Sequence, residues 1–185
     1  QDTFSQHTKT WYGEKFFQLL SRIGITEHLQ QGLELKVRRR ILDFTVTPGK
    51  MHTKVLLEGE VSHVIDLSVP VFSEDEWNSV LKVLAQKSFY LAKLLTDELP
   101  PEVDAAFLKT IGKSLIPEDL RTVRLNSSCT SSEQLKLAGA ALFWKFWEKL
   151  EIDPFMIFSL RGIGKDETLA LLRKHRGGLS KQARA

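Results

Sequence analysis

The spacing of hydrophobic positions changes twice along the chain. Between Trp11 and Ile23, the apolar residues Phe16, Leu19, Leu20 and Ile23 recur at three- and four-residue steps, with Phe17 beside them. That spacing predicts an amphipathic helix. A second helical stretch is expected from Thr26, read as an N-cap, through His28, Leu29 and Leu33. Near Val37 the period drops to two. Leu42, Phe44 and Val46 alternate with Asp43 and Thr45, and Thr47-Pro48-Gly49-Lys50 reads as a turn. Met51, Thr53, Val55 and Leu57 continue the alternation up to Glu58-Gly59-Glu60. Val61, His63, Ile65, Leu67, Val69 and Val71 form a third run. Three strands joined by short turns predict an antiparallel meander with one apolar face and one wetter face.

The helical period then returns. Ser73 and Glu76 form a capping box ahead of Trp77, Val80, Leu81 and Leu84. Another helix is expected from Ser88, Pro100-Pro101 breaks it, and Glu102–Ile111 follows as a short helix. Leu115–Pro117 reads as a loop, Asp119–Leu125 as a short strand, and Asn126–Ser132 as a turn. Phe143, Phe146, Trp147 and Leu150 share one face of a strong helix. Trp144 leaves that face, which places it at a contact surface or against a second element. Asp153-Pro154 opens the next helix, Gly162 and Gly164 end it, and a last helix is expected from Lys165 to His175. The fold class is therefore α+β, a three-stranded antiparallel meander covered by several helices and followed by a helical C-terminal half. Its expected parts are a flexible lead-in (1–10), an α+β region (11–118), a helical region (119–176) and a basic tail (177–185).

Composition narrows the class. Hydrophobic residues make up 42% and charged residues 26%, the range of a globular domain. The longest apolar runs, such as Ala138–Phe143, are far shorter than a bilayer span, and no secretory leader is visible. Cys129 is the only cysteine, so an internal disulfide is excluded and a reducing, cytoplasmic setting is expected. The formal net charge is +3.

Basic residues gather in two places. Lys36, Arg38, Arg39 and Arg40 occupy the helix-to-strand junction. Arg161, Lys165, Arg173, Lys174, Arg176, Lys181 and Arg184 crowd the C-terminal segment against Asp166 and Glu167. The expected nucleic-acid-binding set is Arg38, Arg39, Arg40, Arg161, Lys165, Arg173, Lys174 and Arg176. Such clusters either hold phosphates or are solvated faces, and the Arg triplet suits the second reading better. Gly162-Ile163-Gly164-Lys165 resembles a phosphate loop only as a fragment, because it follows a helix and lacks the remaining glycines. Nucleophile-elbow, zinc-protease and calcium-loop motifs are missing, and the histidines lack paired metal spacing. No catalytic residue, metal or cofactor is assigned, and the chain reads as a binding protein.

Several segments together resemble the bacterial SWIM zinc-finger proteins associated with Snf-type helicases. These are Trp11-Tyr12-Gly13-Glu14-Lys15-Phe16, Arg38 through Lys50, Phe72-Ser73-Glu74-Asp75-Glu76-Trp77, Glu98-Leu99-Pro100-Pro101-Glu102, and Asp153 through Gly162. The resemblance runs from about residue 11 to 176 and departs at the finger itself. Ser127-Ser128-Cys129 stands where the family has C-x-C, and Leu135-Lys136-Leu137 where it has C-x-H. One thiolate cannot hold tetrahedral zinc, so the resemblance implies a degenerate, metal-free finger stabilised by packing. It further implies an adaptor or accessory subunit of a larger nucleic-acid-processing complex, possessing a Snf-type helicase as the expected partner and nucleic acid as a further contact. A purely protein-binding scaffold is the alternative.

Overall fold

The computed structural model describes the backbone of residues 9–182 and the side chains of 9–178. The first eight residues of the expected lead-in, the last three of the basic tail, and the side chains of Lys181 and Arg184 lie outside that range. Helices α1 (Trp11–Ile23) and α2 (Leu29–Val37) are joined by a 3-10 turn, Thr26–His28. Strands β1 (Ile41–Thr47), β2 (Lys50–Leu56) and β3 (Ser62–Ser68) follow. Next come α3 (Glu74–Ala85), α4 (Ser88–Leu95), α5 (Pro101–Ile111), β4 (Arg124–Ser127), α6 (Ser132–Ile152), α7 (Met156–Arg161) and α8 (Lys165–Gln182).

The sheet has four antiparallel strands in the order β1-β2-β3-β4. The expected meander thus gains an edge strand, which overlaps the short strand expected over Asp119–Leu125 and extends it to Ser127, and whose partner lies far back in the chain. β3 stops at Ser68, short of the Val71 that the alternation suggested, because Pro70 has no N–H to give a ladder. At the far end, α8 runs through Gly177-Gly178 to Gln182 where the sequence suggested a stop at His175. Glycine weakens a helix by about 1 kcal/mol but does not terminate it.

Met51, Thr53 and Val55 from β2 and Ile65 and Leu67 from β3 face inward, onto α6. Helix α2 lies against another side of α6, and Phe16 of α1 meets Phe143 and Phe146. Covered by several partners, α6 buries every residue from Ala138 to Trp144. Trp144 is accordingly core, its Nε1–H donating to the Leu29 carbonyl at 2.6 Å, and not a contact surface. Close approach of α2 to α6 depends on Gly32, where an added Cβ would stand 2.8 Å from Ala140 atoms.

A second aromatic group, Phe72, Trp77, Phe107 and Phe158, ties α3, α5 and α7 together. The expected Ser73–Glu76 capping box starts α3. Both groups belong to one continuous core.

Candidate interaction surfaces

Helix α8 rests on α3 and buries Thr168 and Leu172 against its neighbours. Its exposed stripe carries Asp166 and Glu167 in the first turn, then Arg173 and Lys174 further on, a charge order that also suits the helix dipole. Lys82 of α3 joins this basic end. The half-buried His175 imidazole is pulled below its usual pKa by desolvation first, then by Lys174 and Lys82. Lys82 was not singled out in the sequence, since only the α3–α8 contact brings it there.

The remaining C-terminal candidates are committed elsewhere. Arg176 fastens α8 to the α3–α4 corner through Ser88 Oγ at 2.7 Å and the Ala85 carbonyl at 3.4 Å. Lys165 pairs with Asp97 and lies over the Phe155 ring at 5.5 Å. Arg161 is only 3% exposed and belongs to the interior, not to a phosphate-holding surface. Its side chain is enclosed by the β3–α3 linker and the loop after α5, touching the Pro70 and Ser114 carbonyls and the Phe72 ring.

The Arg triplet serves mainly to end α2. Arg39 adopts φ +56 in the left-handed region, Arg39 N donates to Lys36 O, and Arg40 N donates to Leu35 O. This is the Schellman pattern, with Arg39 in the place glycine usually takes. Arg40 reaches across to the Leu56 and Gly59 carbonyls and clamps the β2–β3 turn. Arg38 and Arg39 stay exposed. Their helix sits on α6 and the C-terminal cluster on α3, so the two basic groups have separate supports.

The outward face of the sheet forms a third surface. Pairing aligns Thr45, His52, Asp66 and Asn126 in one row, and Thr47, Lys50, Ser68 and Arg124 in the next. His52 Nδ1 meets Asp66, and Lys50 lies 3.8 Å from the same carboxylate. The alternation of β2 already separated Lys50, His52 and Lys54 from the apolar side. Arg124 entered the row only through β4.

At the finger-like positions, Ser127 closes β4, Cys129 follows half-buried, and Leu135 and Leu137 occupy the first turns of α6 against the core. Among the described residues, no three His, Cys, Asp or Glu side chains group to hold a metal ion. No helix among the described residues is long and apolar enough to cross a membrane.

Two charges are buried next to Ser114. Asp104 accepts from Lys15 Nζ at 2.7 Å, Ser114 Oγ at 2.9 Å and Leu115 N at 2.8 Å. Arg161 donates to the Pro70 carbonyl at 2.7 Å and the Ser114 carbonyl at 3.4 Å, stacks on Phe72 at 4.0 Å, and leaves Nε–H without a partner among the described residues. Burial pushes its pKa down to about 10, with Glu76 opposing.

No family model matches the chain, and no solved structure matches it. It is similar to "Uncharacterized protein Rv2102" of Mycobacterium tuberculosis (strain ATCC 25618 / H37Rv), with 30% identity over 164 residues. The match takes in 89% of this chain and 59% of that protein, so the chain spans little more than half the length of its relative.

Proposed function

We propose that the chain is a non-catalytic, cytoplasmic adaptor, an accessory subunit of a larger nucleic-acid-processing complex that contacts the phosphate backbone through the basic end of α8. The observation that carries this reading is the exposure of Arg173 and Lys174 beside Lys82, three cations with no carboxylate bridged to them among the described ion pairs. The resemblance to helicase-associated SWIM proteins supports it, and a Snf-type helicase is the partner that resemblance suggests. Leu135 and Leu137, packed against the core at the head of α6, are consistent with a finger that holds by apolar contact in place of zinc.

The test is a titration of single- and double-stranded DNA and RNA at two salt concentrations, wild type beside a Lys82/Arg173/Lys174→Ala variant. Arg176 is left intact because it fastens α8 to the body of the protein. Phosphate contacts weaken steeply with salt, so binding should fall with salt and drop at least about tenfold in the variant. Absence of binding at low salt would reject nucleic-acid contact.

The alternative is a scaffold that binds protein alone. Phe89, 55% exposed on α4, together with exposed Val83 and Leu95, favours that reading.

A further inference from the structure

An open cleft of about 380 Å³ separates the β3–α3 linker from the loop after α5, and Arg161 forms part of its wall beside Phe72, Lys113, Ser114, Glu118 and Asp119. Its size falls in the range of small-ligand sites. Every other charge lining it already has a partner. Lys113 is bonded to Glu76, Glu118 accepts from Lys15 at 3.0 Å, and Asp119 is held in a forked contact by Arg121. Arg161 alone, among the described residues, has only carbonyls and a ring. Its backbone is fixed too, since its carbonyl accepts from Phe72 N at 2.8 Å and Trp77 Nε1 at 3.3 Å. A guanidinium kept dry without an anion is costly, and a planar carboxylate is the group whose two oxygens match its fork.

We infer that this cleft binds a single carboxylate carried on a short apolar stem, with Arg161 as its counter-charge and Val71, Phe72 and Pro117 packing the stem. A monoanion balances the one unmatched cation. Phosphate, with more than one charge at neutral pH, would bring its excess against Glu118 and Asp119. The site is separate from the basic end of α8 and stands whether or not that surface binds nucleic acid.

The experiment titrates isotopically labelled protein with butyrate, with N-acetyl-glutamate N-methylamide and with inorganic phosphate, at constant ionic strength. Resonances of the Arg161 Nε–H and of the Phe72 and Ser114 amides are followed. At least one carboxylate should give saturable shifts with a Kd on the order of 1 mM, at least about fivefold tighter than phosphate. Response to the blocked glutamate alone points to an acidic side chain of a partner protein, and response to butyrate alone to a free carboxylic acid. Arg161→Gln should weaken binding by at least about tenfold. Thr122→Trp, which fills the exposed rim while retaining Arg161, should do the same should the first variant fail to fold. Lack of saturation by either carboxylate up to about 50 mM, phosphate binding as tightly, or Thr122→Trp binding as well as wild type would overturn the inference.

Discussion

Asp104 and Arg161 are buried to the same degree, 4% and 3% exposed, and both bond to Ser114, one through its hydroxyl and the other through its carbonyl. Around Asp104 the charge is answered by Lys15, and two further donors complete its shell. Around Arg161 no carboxylate comes within ion-pair distance among the described residues, and one N–H is left over. Burial alone does not reveal a charge's role. A closed shell such as Asp104's holds elements together, here α1, α5 and the loop beyond it. An incomplete shell on the wall of an open cleft is where a ligand has something to offer.

The largest expected effect is therefore at Asp104. Asp104→Ala strands the Ser114 hydroxyl and the Leu115 amide and frees Lys15, and should cost about 3 kcal/mol in urea unfolding. Arg161→Met should cost only about 1 kcal/mol, because losing two carbonyl bonds is offset by ending the desolvation of a charge. Equal losses would mean that the two buried charges serve the fold alike. Gly32→Ala provides a scale without charge. It drives a methyl into Ala140 where α2 meets α6, and thermal or urea unfolding should show a loss of about 1–3 kcal/mol.

The smallest effect is at Glu76, the acid that bears on Arg161 from a distance. Its carboxyl is held below the usual 4.5, chiefly by the bond from Lys113. A pKa lowered on folding adds stability that is complete above the unfolded value and lost as pH falls through the folded one. Glu76→Gln should thus flatten the decline in stability below pH 4.5, with less than about 1 kcal/mol lost at neutral pH since Lys113 is exposed. It should also tighten butyrate binding, as one competing negative charge disappears.

Much of the frame was legible because it rests on local spacing. The helical stretch of α1, the alternation of the first three strands, the Ser73–Glu76 box and the Pro100-Pro101 break can each be read within a few residues. Others were legible in part: the short strand expected over Asp119–Leu125 is β4, shifted to Arg124–Ser127, and burial of Trp144 selects packing against a second element, whereas Gly177-Gly178 gave a false stop. The candidate site was less legible still. Arg161, Lys165 and Arg176 look alike as basic residues in a cluster, yet one is interior, one is paired with Asp97 and one fastens two helices.

The α+β class, the position of the sheet within the chain and the concentration of positive charge near the C-terminus follow from local pattern, since periodicity and composition are properties of neighbouring residues. Contacts between distant segments set which of those charges meet solvent, which are paired, and that Arg161 lines a cleft with no carboxylate at ion-pair distance among the described residues. Those outcomes depend on contacts such as Arg161 with Pro70 and Ser114, or α8 with α3, between residues tens of positions apart. No local pattern encodes such a contact, because burial and charge compensation arise only when distant segments close around the same space.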